Sequence, residues 1–274
     1  MSTAAATGVE RLAGAFAGHG KRAALMPYVM AGFPTLADSV RIGEACVAAG
    51  ADVIELGMPY SDPLADGPVI HAAGTRALAA GASVAGVLEV VRGLAPSVPV
   101  VLMCYANMVF APGARSFLER LAQTGACGLI VPDLPLGEAP EVLSICDSLG
   151  LALVPLVAPT TTPERMAAIG ASARGFVYTV SVVGTTGERQ ALGERFAEIV
   201  SRTRAATDVP VALGFGISTP EQARAAAAAG ADGVIVGTRL VRAAGEGEDP
   251  AEAVGALVAG LAAGLAPTEP GSDS

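Results

Sequence analysis

Eight short apolar runs, each followed by an alanine-rich stretch of helical pattern, constrain this chain more than any other feature. The runs occupy residues 25–30, 52–58, 98–105, 127–131, 152–157, 175–180, 209–213 and 233–236. Helical patterns lie at about 36–49, 83–94, 114–124, 138–148, 163–170, 191–206, 219–229 and 250–264. Runs that are apolar on nearly every residue read as strands buried on both faces, and strands separated by helices pair in parallel. The alternation predicts an α/β fold, a (β/α)8 TIM barrel rather than an open sheet. Three joints repeat: Gly50-Ala51-Asp52, Gly125-Ala126-Cys127 and Gly230-Ala231-Asp232. Each is a helix end, a glycine stop and a strand start, and their irregular spacing marks repeated βα joints, not a solenoid. An extra amphipathic helix at about 9–18 is placed to plug the N-terminal end of the barrel. The 274 residues fit a single catalytic domain over 1–265, with a disordered tail at 266–274 rich in Pro, Gly, Ser and acids.

Composition removes whole classes of partner. The net charge is −9 and no basic run occurs, which argues against nucleic acid and against an anionic membrane surface. A phosphate ligand stays open, because backbone amides hold one without side-chain charge. The four cysteines, Cys46, Cys104, Cys127 and Cys146, form no C-x-x-C pair and have no histidine at metal spacing. They read as small buried thiols in a reducing cytosol, and no metal site is expected. The N-terminus lacks a basic start and a continuous apolar stretch, and no run reaches the roughly 18 apolar residues of a membrane span. The expected location is cytoplasmic.

In a barrel of this kind the reacting groups sit at the C-terminal ends of the strands. The sharpest signal there is Glu55, in the second strand, followed by a loop with Asp62 and Asp66. By alternation Val53, Glu55 and Gly57 share one face, and Ile54, Leu56 and Met58 the other. Both faces are packed, so Glu55 is expected to be buried whichever way the strand is turned. Burial of an unpaired carboxylate is costly and raises its pKa toward a range useful for proton transfer. Asp62 and Asp133 read as turn residues, and Asp66, in Ala-Asp-Gly-Pro, reads equally as a turn residue and as a site acid.

Three loops carry glycine where a phosphate would sit. They are Ser181 to Gly187 after the sixth strand, Gly214 to Ser218 after the seventh, and Gly237-Thr238-Arg239 after the eighth, where a short helix opens. The single lysine, Lys21, precedes the first strand at the opposite end of the barrel, which disfavours Schiff-base chemistry. The two histidines, His19 and His71, with scattered acids, make a poor transition-metal site. With no Ser–His–Asp set either, carboxylate acid–base chemistry remains, and His71 is given no role.

Five segments resemble tryptophan synthase alpha subunits: Pro27-Tyr-Val-Met-Ala-Gly32, Glu55-Leu-Gly-Met-Pro-Tyr-Ser-Asp-Pro-Leu-Ala-Asp-Gly-Pro68, Met103-Cys-Tyr-Ala-Asn107, Pro132-Asp-Leu-Pro135 and Gly214-Phe-Gly-Ile-Ser218. The likeness runs from about residue 10 to 262, and the block from Glu55 to Pro68 is specific to that family rather than to barrels in general. The resemblance implies a lyase that cleaves indole-3-glycerol phosphate to indole and glyceraldehyde 3-phosphate by a retro-aldol reaction. It implies that Glu55 is the acid–base group and that Asp66 binds the indole N–H and stabilises positive charge on the ring. Tyr178 and Thr186 match substrate-binding positions, and Phe215, Met103, Ile130 and Leu25 would wall the indole pocket. Gly187, Gly216, Gly237 and Thr238 match the phosphate cradle. The family also implies an alpha2beta2 heterotetramer: a beta subunit carrying pyridoxal phosphate docks on Pro59, Asp62, Asn107 and Pro135, while this chain carries no cofactor. Indole passes to that subunit through a tunnel.

There are departures from the family pattern. Val182 and Thr185 stand where the enterobacterial form has arginine and valine, Phe33 where many members have aspartate, and Leu25 in place of a pocket phenylalanine. They bear on closure of the sixth loop and on signalling between subunits, not on the reaction. Three other readings stay open. One is another phosphosugar-handling TIM-barrel enzyme, such as an isomerase. The others are a free-standing indole-releasing lyase and a silent barrel retained as a regulatory subunit.

Overall fold

The computed structural model describes residues 6–135, 137, 139–180, 189–214 and 216–267. Nine parallel strands form a nearly closed barrel: β1 (Ala24–Met30), β2 (Ile54–Gly57), β3 (Val100–Met103), β4 (Gly128–Ile130), β5 (Ala152–Val154), β6 (Leu156–Val157), β7 (Val177–Val180), β8 (Val211–Gly214) and β9 (Gly233–Val236). Their order is β5-β4-β3-β2-β1-β9-β8-β7-β6. Eight runs become nine segments because Pro155 interrupts the fifth. Proline has no N–H for the ladder, so β5 pairs with β4 while β6 pairs with β7. The two edges of the sheet are thus neighbours in sequence, which brings the barrel round on itself.

Helices α2 (Leu36–Ala48), α4 (Val84–Leu94), α6 (Ala114–Ala122), α7 (Pro140–Leu149), α8 (Pro163–Ser172), α9 (Arg189–Arg204), α10 (Pro220–Ala228) and α12 (Pro250–Gly264) lie within two residues of the sequence pattern. The short helix anticipated after the eighth run is α11 (Thr238–Glu246). The pattern did not reveal α3 (Pro68–Ala79) or the five-residue α5 (Ala106–Phe110). Helix α3 opens on a proline after Gly67, a favourable first position. The first amide of α5, on Ala106, donates to the Asp133 carboxylate at 2.8 Å, so its cap comes from a distant loop.

Side chains alternate between two cores. Met26, Val53, Val101, Ile130 and Ile235 pack inside the barrel, whereas Leu25, Ile54, Leu56, Leu102 and Val234 pack outward against the helices. The N-terminal helix α1 (Gly8–Gly18) starts with a capping box between Thr7 and Glu10 and sends Leu12, fully buried, into the interior core. It plugs the N-terminal end of the barrel. Two of the repeated joints have a common purpose at that end. Asp52 accepts from Leu25 N at 2.6 Å and pairs with Lys21 at 2.8 Å. Asp232 accepts from Val211 N at 2.8 Å and pairs with Arg204 at 2.8 Å. Each acid fixes the start of a neighbouring strand, and Lys21 is committed to this structural task.

Candidate active site

Strand β2 turns Glu55 to the barrel interior. Val53 lies in the interior core and Ile54 and Leu56 in the outer one, so Glu55 shares the face of Val53 and Gly57. Glu55 is 2% exposed, and its Oε2 is buried with no hydrogen-bond partner among the described residues. Desolvation, reinforced by the negative charge of Asp66, pushes its pKa up to about 8. At neutral pH the carboxyl therefore holds a proton it can give away.

Two tyrosines flank it. Tyr28 is the direct neighbour of Glu55 across the β1–β2 pairing, and Tyr178 comes from β7. Both are buried, and both phenols are raised well above their usual pKa, first by desolvation and then by the surrounding charges, Glu55 among them. They remain neutral donors throughout any physiological range. Glycines make room for the rings. A Cβ on Gly57 would overlap the Tyr28 hydroxyl, and one on Gly214 would lie 2.5 Å from the Tyr178 ring.

Asp66 hangs over this floor from the loop between β2 and α3. The Tyr105 hydroxyl donates to its Oδ1 at 2.8 Å and accepts from Ala65 N at 3.1 Å. Tyr60 stacks on Tyr105 with ring centroids 5.2 Å apart. Desolvation raises the Asp66 pKa, opposed by the Tyr105 hydrogen bond and the charge of His71. Asp66 is thus held by a specific partner, which a bare turn residue would not need. Asp133 caps α5 and Asp62 accepts from the exposed Ser61 hydroxyl, in keeping with turn roles.

Met103 and Ile130 continue the interior face near Glu55: Gly57 pairs with Met103, and Met103 with Ile130. Leu25 does not join them. It is fully buried in the outer core, because it alternates with Met26, which faces inward. Tyr28, two residues on from Met26, brings its hydroxyl against Gly57 on the Glu55 face of β2, so the expectation that Leu25 walls the pocket is corrected. Thr186, Gly187 and Phe215, with Val182 and Thr185, lie outside the described residues. Gly216 adopts φ +78° just past β8, a conformation open to glycine. Gly237 and Thr238 form the start of α11, which has no side-chain cap, so its first amides are available to an anion.

At the same end of the barrel Asp62, Asn107 and Pro135 are exposed, but Pro59 is buried with its backbone against Gly74 of α3. Pro59 is therefore corrected from a docking residue to a packing one. Two large apolar residues do protrude there, Leu64 at 83% and Phe110 at 43% exposure. A separate cleft of about 260 Å³ over β5, β6 and α8 is lined by Leu153, Pro155, Arg165 and Ile169 and does not reach Glu55 or Asp66. Sequence reading passed over Tyr28 and Tyr105 as site residues. Both lie in motif segments quoted above, and the alternation of β1 from Met26 would have turned Tyr28 inward.

The family model described as "Tryptophan synthase alpha chain" matches residues 16–263. A tryptophan synthase alpha chain of Synechococcus sp. (strain CC9902) is 52% identical over 223 residues, covering 81% of this chain and 83% of that protein. The tryptophan synthase alpha chain of Methanosarcina acetivorans is 48% identical over 245 residues, 89% of each. Among solved structures, a chain of Mycobacterium tuberculosis tryptophan synthase superposes with a TM-score of 0.86 at 39% identity, covering 96% of this chain and 100% of that one. Tryptophan synthase subunit alpha of Legionella pneumophila str. Paris gives 0.86 at 36% identity, with coverage of 95% and 99%.

Proposed function

The chain belongs to the tryptophan synthase alpha chain family, and from that premise we propose that Glu55 and Asp66 carry the family's reaction. That reaction is a lyase step of tryptophan biosynthesis, the cleavage of indole-3-glycerol phosphate. The observation that carries the assignment is the buried Oε2 of Glu55, left without a partner on the inner face of β2. A protein does not bury a lone carboxyl at a barrel mouth without some compensating use.

In the retro-aldol cleavage the bond between indole C3 and the adjoining glycerol carbon breaks. C3 gains a proton and the carbinol oxygen loses one, leaving indole and glyceraldehyde 3-phosphate. Glu55 begins protonated, gives its proton to C3 and recovers one from the carbinol, so it ends as it began. When C3 is protonated, positive charge falls on the ring nitrogen. Asp66, held by Tyr105, accepts the indole N–H and stays ionised to offset that charge. Burial raises both carboxyls, but Glu55 is enclosed and its Oε2 has no partner among the described residues, whereas Asp66 is only partly buried and held by the Tyr105 hydrogen bond, which opposes the rise. Tyr178, Met103, Ile130, Phe215 and Thr186 enclose the substrate, and Gly187, Gly216, Gly237 and Thr238 bind its phosphate.

The partner in this reading is a beta subunit, assembled as an alpha2beta2 complex. Pyridoxal phosphate belongs to that partner, and the chemistry described for this chain uses its own side chains. The docking face comprises Asp62, Asn107 and Pro135, with Leu64 and Phe110 as apolar anchors, the kind of exposed apolar group that dominates an interface when buried. Four buried free thiols suit the reducing cytoplasm, where we place the enzyme. No single described helix is long and apolar enough to cross a membrane.

The reading is tested by assaying cleavage of indole-3-glycerol phosphate with and without a beta subunit. We expect slow turnover alone and a strong rise on assembly. Phe110→Asp should weaken assembly by about tenfold or more and leave the basal rate of the isolated chain unchanged. Equal rates with and without the partner would favour a free-standing lyase. No turnover in the assembled complex would favour a silent barrel.

A further inference from the structure

Tyr28 has a position that the roles assigned so far do not use. Its ring runs between the two ends of the site. A Cβ on Gly237, beside the start of α11, would lie 3.3 Å from Tyr28 Cβ, whereas the hydroxyl sits in the notch left by Gly57, next to Glu55. The side chain is 94% buried, being 6% exposed, and its hydroxyl has no hydrogen-bond partner among the described residues. Glu55 Oε2 is buried and unpartnered, so the two groups do not satisfy each other, while the Tyr28 hydroxyl is not among the fully buried unpaired atoms and keeps access to the site. A hydroxyl that opens to the site and has no protein partner is free to donate to a ligand atom placed there.

Resting on the reading that this site cleaves indole-3-glycerol phosphate, we propose that the Tyr28 hydroxyl donates a hydrogen bond to the carbinol oxygen beside the indole. With phosphate at Gly237 and Thr238 and the indole under Asp66, the stretch along Tyr28 is filled by the glycerol chain and its hydroxyls. As the carbinol oxygen loses its proton, it gathers negative charge before becoming the aldehyde oxygen. A neutral donor fixed there strengthens its bond as that charge develops. Tyr28 thereby selects for substrates with a hydroxyl at this carbon, because a site built around a substrate hydroxyl rejects an analogue that lacks it.

The test compares two ligands in a Glu55→Gln background, where turnover does not interfere. One is indole-3-glycerol phosphate and the other an indole-alkyl phosphate with no hydroxyls in the linker. Adding Tyr28→Phe should weaken the first by about tenfold and leave the second within about twofold, with an unchanged melting temperature. In the active enzyme Tyr28→Phe should lower kcat as well as raise KM. Equal weakening of both ligands would reduce Tyr28 to a packing role and overturn the proposal, as would no weakening of either. Failure of the lyase reading would appear separately, as absence of turnover by the wild-type complex, and the two-ligand comparison would still decide the question of Tyr28.

Discussion

Glu55→Gln is expected to lower kcat for indole-3-glycerol phosphate cleavage by about three orders of magnitude, within the range for loss of a general acid–base group. Glutamine fills the same volume but neither gives a proton to C3 nor takes one from the carbinol, so KM should change little. The same substitution should stabilise the protein at alkaline pH. Between about 4.5 and about 8 the folded chain keeps the Glu55 proton, whereas the unfolded chain has released it. This group therefore favours folding at the acid side of the window, and that contribution is lost as pH rises through it. Glutamine carries no such dependence. Its melting temperature should exceed that of wild type by about 10 °C near pH 8.5, with the gap closing as pH falls toward 5. A variant that kept wild-type turnover would remove Glu55 from the mechanism. One that was less stable at pH 8.5 would contradict the cost assigned to its burial.

The second large effect falls on Asp66. Asp66→Asn keeps a group for Tyr105 to bind at the same position, but removes the charge that offsets the protonated indole. A loss of about 100-fold in kcat follows, comparable to deleting one preorganised electrostatic contact. Because the charge of Asp66 also holds the Glu55 proton in place, the substitution should move the Glu55 titration downward. These two readouts separate an electrostatic role from a turn role. If Asp66 only shaped the Ala-Asp-Gly-Pro loop, asparagine, an equally good turn former, would change neither.

Much of this architecture is legible in the sequence because strand burial and helix amphipathicity are local, periodic signals. The fifth run reads as one strand that Pro155 interrupts, but that its two halves pair with opposite edges of the sheet follows from closure of the barrel, which no local window contains. Helix α5 was missed because its cap, Asp133, belongs to the following βα loop. The same distinction governs the site. The burial of Glu55 follows from its place in an apolar strand, but which face of β2 looks inward is fixed by packing against neighbouring strands. Leu25 was misplaced for that reason: adjacent residues of a strand differ by a whole face, and only the pairing of Tyr28 with Glu55 sets the phase. Pro59 was misplaced because the helix that covers it, α3, had not been foreseen. Tyr105 acquires its meaning through a hydrogen bond spanning 39 residues to Asp66.

The most direct check is the titration of the Glu55 carboxyl itself. It can be followed by carbon NMR of protein labelled at the glutamate side-chain carboxyls, with the resonance assigned by its loss in Glu55→Gln. A midpoint at about 8 is predicted for the free enzyme. A midpoint near 4.5, the ordinary value for a solvated glutamate, would mean that the enclosed proton on which the proposed cleavage depends is not there.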